Sequence, residues 1–335
     1  MMAAVWAARR LASPLGAPQK AMAPMRHMSS RPMPAITSAG GSGGAATAAP
    51  AKVTLPDLLR LKDTGQKITV VTAYDYPTAL FVDKAGTDIV LVGDSLAMVA
   101  LGYETTNAVT MDEMLHHARA VARGARRAFR VADMPFGSYQ VNPDEAVRNA
   151  IRFVAEGNME AVKLEGGREM AATVRRIVQA GIPVMGHVGL TPQSASALGG
   201  FRVQGRTADK ALQLLEDVQA LEDAGCFSVV LEAIPDPVAR LVAERTRVMT
   251  IGIGAGAHTS GQVLVLNDML GIFDRFVPRF CKQYAKLDPL VNEALRAYID
   301  EVRSGAFPAP EHTYPMKADE LAKLDAWRQR HPVSS

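Results

Sequence analysis

Apolar, β-branched runs recur along the chain from residue 57 onward, at 68–74, 88–94, 129–133, 161–165, 183–188, 228–234 and 248–253. They alternate with longer segments of helical period. A further run, "GQVLVLND" at 261–268, completes a series of eight. Such uninterrupted runs are those of strands covered on both faces, as in a parallel sheet flanked by helices.

The helical segments have readable ends. In "NPDEAVRNAIRFVAEG" the spacing predicts Asn142 as N-cap, Pro143 at the first helical position, Glu145 at the capping-box position and Gly157 as a left-handed stop. "TADKALQLLEDVQALEDAG" starts on Thr207 and stops on Gly225 in the same way, and Gly86, Gly124 and Gly181 stand at the equivalent junctions. The unit is strand, loop, capped helix, glycine, strand. Eight such strands in about 280 residues predict a single (β/α)8 barrel. A doubly wound open sheet would carry a glycine-rich turn after its first strand, and "TAYDYPTA" has none. "GIGAG" at 252–256 follows the seventh strand and reads mainly as a tight structural turn, with an anion or cofactor contact as the lesser alternative.

Four of the runs end in acids: Asp94, Asp133, Glu165 and Glu232. A barrel places its active site at the C-terminal ends of its strands, so these acids belong to the mouth. Alternation along each strand groups Val90 and Val92 with Asp94, Val131 with Asp133, Lys163 with Glu165, Met185 with His187, and Val230 with Glu232. All of these sets are expected to point inward. One strand-end acid alone is as readily a cap for the next helix. Several converging on one cavity need a cation or raised pKa values. Oxygen donors without cysteine favour a hard ion such as Mg²⁺ over zinc. His187 has three open roles: donor to a developing alkoxide, water-mediated metal contact, or a core hydrogen bond. His116 and His117 are neighbours on a helix and cannot share one face.

Composition changes the picture at one end. Residues 1–56 hold no Asp or Glu but carry Arg9, Arg10, Lys20, Arg26, Arg31 and Lys52. The net charge of +3 therefore hides a remainder near −3, since 37 basic residues less these six leave 31 against 34 acids. Nothing in that balance points to nucleic acid. The Arg-containing, Ala- and Ser-rich start "MMAAVWAARRLA" resembles a mitochondrial transit peptide, and "TSAGGSGGAATAAPA" reads as a flexible linker. Residues 1–53 are thus expected to be a leader, 54–314 the barrel and 315–335 a C-terminal extension. Two cysteines, Cys226 and Cys281, exclude a disulfide framework and are expected to be reduced thiols. No apolar stretch approaches the length of a membrane span, so a soluble protein with no membrane partner is the default.

"LVGDSLAM", "VADMPF", "VKLEGG", "GHVGLTPQS", "GGFRVQGR" and "GIGAG", in this order and spacing, resemble the 3-methyl-2-oxobutanoate hydroxymethyltransferase family over residues 54–314. Ala97 stands where glycine is common in that family and leaves the neighbouring acid and hydroxyl intact. The resemblance implies a (β/α)8 barrel, a divalent metal such as Mg²⁺ on Asp94, Asp133 and Glu165, and substrate contacts from Asp94, Ser95, Asp133 and Lys163. It further implies Glu232 as proton acceptor, 5,10-methylenetetrahydrofolate as one-carbon donor, 3-methyl-2-oxobutanoate as acceptor, and a homo-oligomer, commonly a decamer. His187 is added as a further substrate-contact candidate. A phosphoenolpyruvate-mutase or isocitrate-lyase type of enzyme would need a Lys-Lys-Cys-Gly-His loop, and the chain has none. A non-catalytic, metal-holding assembly subunit would have no need of all five of Asp94, Asp133, Lys163, Glu165 and Glu232.

Overall fold

In the computed structural model, which describes residues 51–272 and 276–332, eight parallel strands close into a barrel in sequence order. They are β1 (Ile68–Thr72), β2 (Ile89–Val92), β3 (Phe129–Asp133), β4 (Ala161–Lys163), β5 (Val184–Gly189), β6 (Ser228–Glu232), β7 (Met249–Ile253) and β8 (Gly261–Leu264). Closure is made by β1 pairing with β8, Ile68 opposite Gly261. Each strand lies within a predicted run or passes it by one residue. The eighth is shorter than predicted, because residues 266–269 turn into a short helix.

Helices follow the strands as the pattern requires: α1 (Leu55–Asp63) precedes β1, and α2 (Tyr76–Lys84), α3 (Met111–Gly124), α4 (Pro143–Ala155), α5 (Ala171–Gln179), α6 (Ala208–Asp223) and α7 (Asp236–Arg245) link the strands up to β7. The N-caps are as read, although Glu145 makes no return bond to Asn142 N and so closes no capping box. Asn142 accepts from Glu145 N at 2.9 Å and Thr207 accepts from Lys210 N at 3.4 Å. Gly157, however, is not the left-handed stop of α4. The positive φ falls on Asn158, at 55°. Gly157 is required for another reason: a Cβ there would stand 2.6 Å from the Phe153 carbonyl oxygen and 3.3 Å from Ala118 Cβ on α3.

The link from β7 to β8 has no helix. Gly254 and Gly256 take positive φ, and a side chain on Gly256 would run into the Asp236 carboxylate, so "GIGAG" is a tight turn. After β8, no helix of comparable length follows among the described residues until α8 (Leu287–Ser304) and α9 (Ala318–Arg330), and neither buries a residue.

Two apolar layers result. Val90, Val92, Ala132, Val162, Val229 and Leu231 face the helices. Ile89, Leu91, Val131, Ala161, Met185, Val230 and Ile251 fill the barrel interior. Val53 and Leu58 join the interior layer from below, so α1 closes the N-terminal end. Lys52 and Val53 are therefore not part of a flexible leader. Lys52 Nζ reaches Ala128 O at 2.6 Å, and Val53 N donates to Arg127 O at 2.7 Å. Cys226 is a free, buried thiol and Cys281 is free and half-buried. Among the described residues no helix is long and apolar enough to cross a membrane.

Candidate active site

The C-terminal ends of β2 to β6 deliver Asp94, Asp133, Lys163, Glu165, His187 and Glu232 to one mouth. All but Glu232 are buried, and Glu232 keeps 14% of its side chain exposed. Alternation explains most of this. Val131, Ala161, Met185 and Val230 point inward, and so do the strand-end residues Asp133, Lys163, His187 and Glu232, which share their parity.

Asp94 breaks the rule. Its parity mates Val90 and Val92 face the helices, so strict alternation would have turned it outward. It reaches the mouth because β2 stops at Val92 and the chain turns at Gly93. A Cβ on Gly93 would lie 2.9 Å from Ser95 Oγ, so a side chain there would push that hydroxyl from its place beside Tyr74. Asp94 N then donates to Asp133 Oδ2 at 2.9 Å. Ser95 is half-buried at the start of the next turn, with its Oγ 2.9 Å from Tyr74 Oη.

The charges form a chain across the mouth. Lys163 Nζ lies 2.8 Å from Asp133 Oδ1 and 3.3 Å from His187 Nδ1. His187 Nε2 is 3.2 Å from Glu232 Oε2, outside hydrogen-bonding direction, and its Nδ1 is 3.6 Å from Glu165 Oε1. Burial opposes the charge on Lys163, but Asp133, Glu165 and Asp94 outweigh it and hold the ammonium protonated. Burial and then Lys163 push the His187 imidazole well below its usual range, so it is neutral. With Nδ1 accepting from the ammonium, the network assigns the ring proton to Nε2. Burial lifts Glu232 to about 8 and, with Asp133, lifts Asp94 to about 7. Glu165 is likewise raised by burial and by Asp94.

Gln193 ties this chain together, and the sequence reading did not single it out. Its Nε2 donates to Asp94 Oδ2 at 2.9 Å and to Met134 O at 3.0 Å, while its backbone N–H donates to Glu165 Oε2 at 3.0 Å. Its Oε1 accepts from Tyr139 Oη at 2.6 Å and Gln140 Nε2 at 3.2 Å. Tyr139 Oη in turn accepts from Glu165 N at 3.2 Å. The only sequence signal was its place in "GHVGLTPQS". His117 bonds the Tyr74 carbonyl at 2.5 Å, apart from this network.

The donor set suits a hard cation in kind. Glu165 Oε1 is buried without a hydrogen-bond donor, Asp133 Oδ1 has only its ion pair with Lys163, and three raised or crowded acids face one cavity. Among the described residues, no three His, Cys, Asp or Glu side chains are arranged to hold an ion directly.

The profile of the family described as ketopantoate hydroxymethyltransferase matches residues 52–310. The chain belongs to that family. It is 55% identical over 273 residues to a 3-methyl-2-oxobutanoate hydroxymethyltransferase of Heliobacterium modesticaldum, covering 82% of this chain and 99% of the relative. It is 52% identical over 284 residues to one of Emericella nidulans, covering 84% and 81%. Solved barrels with the same fold include a phosphonopyruvate hydrolase in complex with oxalate and Mg²⁺, at TM-score 0.52 and 14% identity over 84% of this chain and 98% of that one. A 2,3-dimethylmalate lyase of the PEP mutase/isocitrate lyase superfamily fits at TM-score 0.51 and 17% identity, over 83% and 99%. Ketopantoate hydroxymethyltransferases therefore share a barrel with the enzymes of the alternative reading, and membership is decided by sequence.

Proposed function

We propose that the chain transfers a hydroxymethyl group from 5,10-methylenetetrahydrofolate to 3-methyl-2-oxobutanoate, giving 2-dehydropantoate for pantothenate biosynthesis. The observation that carries this reading is the opposition, in one buried mouth of a family member, of a Lys163–Asp133 pair and a Glu232 carboxylate lifted to about 8. Asp94 and Asp133 would hold a divalent cation such as Mg²⁺, with Glu165 reaching it through water. When bound, that cation supplies Lewis-acid stabilisation of negative charge on the substrate's keto oxygen.

The residues of the chain do the rest. Lys163 holds the substrate carboxylate or the developing enolate oxygen, and Ser95 and Asp133 orient the acid beside it. Glu232 takes the C3 proton, and the C–H electron pair moves onto the keto oxygen. Water releases the donor methylene as formaldehyde, breaking both of its C–N bonds and leaving a hydrogen on each nitrogen of the departing tetrahydrofolate; C3 then bonds to that carbon, and the C=O electron pair becomes an alkoxide that takes up a proton. The His187 Nε2–H has no hydrogen-bond partner and lies beside Glu232, so it is placed to donate to the new alkoxide.

The acid-free leader supports mitochondrial targeting. Deleting residues 1–50 is expected to leave activity intact and move the protein to the cytosol, and continued import of the shortened chain would refute targeting. The uncovered apolar stripe of α8 supports a homo-oligomer as the working form.

The activity is tested in deuterated water, with 3-methyl-2-oxobutanoate, Mg²⁺ and no folate. C3 hydrogen exchange is expected at a measurable rate, and Glu232→Gln should slow it by at least ~10²-fold, or about 3 kcal/mol of barrier. Normal exchange in the variant would move the base elsewhere, to His187 first.

A further inference from the structure

Beside the mouth lies a cavity of about 380 Å³ whose lining, Glu165 apart, holds none of the side chains given a role above. It has room for about a dozen waters at ~30 Å³ each, far more than a five-carbon 2-oxo acid needs. Glu165 and Tyr139 are walls of both spaces. Val188 and Gly189, which continue the strand beyond His187, form another wall. Opposite them, Gln204 is fixed by its N–H to Ala233 O at 3.0 Å, next to Glu232. The cavity therefore adjoins the reacting groups through Glu165 and through the chain neighbours of His187 and Glu232.

Part of its lining is bare backbone. Gly166, Gly167, Gly189 and Gly205 all face it. A Cβ would strike Met170 Cγ at 2.6 Å from Gly166 and Leu214 Cδ1 at 2.7 Å from Gly205, and would run into Asp217 from Gly167 and the Glu232 carbonyl from Gly189. Such a wall lets a flat ring approach the backbone closely. Phe136 stands at the rim with 49% of its surface exposed. Glu169, which accepts from Gly167 N at 2.8 Å and has no ion-pair partner among the described residues, offers a carboxylate to an amidine edge. Lys210, in the first turn of α6, is the cation of the lining.

We propose, on the footing of the activity above, that this cavity seats the reduced pterin of the one-carbon donor, with Phe136 over the ring and Lys210 meeting the carboxylates of its glutamate tail. The donor methylene then faces the carbon that Glu232 deprotonates, and the small acceptor is bound without competition for the same space.

The test uses the full chain and the variants Phe136→Ala and Lys210→Glu, neither of which touches the 2-oxo acid. Steady-state KM is measured for both substrates, tetrahydrofolate binding by calorimetry with and without saturating 2-oxo acid, and folate-free C3 exchange as a separate readout. Phe136→Ala is expected to raise donor KM and weaken tetrahydrofolate binding at least tenfold, with 2-oxo acid KM and C3 exchange within twofold. Lys210→Glu is expected to penalise donors with longer glutamate tails more than the monoglutamate. Unchanged donor KM and tetrahydrofolate affinity in both variants would overturn the assignment. Absence of C3 exchange in the unaltered protein would count against the activity alone, since calorimetry still judges the cavity: lost binding in Phe136→Ala supports it, and equal or absent binding overturns it.

Discussion

Gln193 makes hydrogen bonds to partners from five segments of the chain, its backbone O accepting from Asn107 Nδ2 at 3.0 Å as well. Every polar atom of its amide is used, which fixes the amide's orientation and through it the positions of Asp94 and Glu165. Gln193→Ala should therefore weaken Mg²⁺ binding 10–100-fold by calorimetry, the range for losing a partner that orients a ligand. An unchanged affinity would mean that Asp94 and Glu165 hold their places unaided. The titrations give a second test. Glu232 and Asp94 have folded pKa values raised above their ordinary ones, so they favour the folded state below pH ~4 and lose that contribution as pH rises through about 7 and 8. The metal-free protein should melt at a lower temperature at pH 8.5 than at pH 5, and added Mg²⁺ should raise the melting temperature more at pH 8.5, where the carboxylates are free to bind. A melting temperature that does not fall with pH would contradict burial of these acids. Asp133, Lys163, His187 and Glu232 were legible because alternation reads directly which face a strand residue takes. Asp94 lies in the mouth although the alternation rule that points there fails on its strand, and Gln193 is hidden because a polar residue after proline looks like any helix start.

At the scale of elements, the eight strands were legible because each is a short, mostly apolar and β-branched run between segments of helical period. Glycine roles were less so: the same letter marks a left-handed residue at Gly181, φ 86° with open space around it, and a close approach at Gly157. Sequence cannot separate them, because one depends on backbone angle and the other on what lies across the gap. The two predict different costs. Gly157→Ala must push α4 from the Ala118 methyl and crowd its own turn, and is expected to lower stability by about 1–3 kcal/mol in urea unfolding. Asn142→Ala, at the other end of the same helix, removes a bond to Glu145 N and should cost about 1 kcal/mol. A neutral Gly157→Ala would show that the α3–α4 contact is loose.

Across the whole molecule, the barrel is complete and its C-terminal helices are not accommodated by it. On α8, Leu290, Val291, Leu295, Tyr298, Ile299 and Val302 recur at helical spacing, and each is more than 40% exposed. In a sequence this stripe is indistinguishable from one that packs on its own barrel, so its exposure could not have been read in advance. A helix that buries nothing draws no stability from the fold around it. In a dilute solution of single chains, the backbone amides of residues 287–304 should thus trade hydrogen for deuterium at nearly the rate of a free peptide, while those of β2 to β6 hold theirs. As the protein is concentrated and copies cover the stripe, the same amides should become slow while the barrel's are unmoved. Equal protection at all concentrations would mean that the stripe is never covered by another chain. Read this way, α8 is a gauge of how crowded the protein is with its own kind.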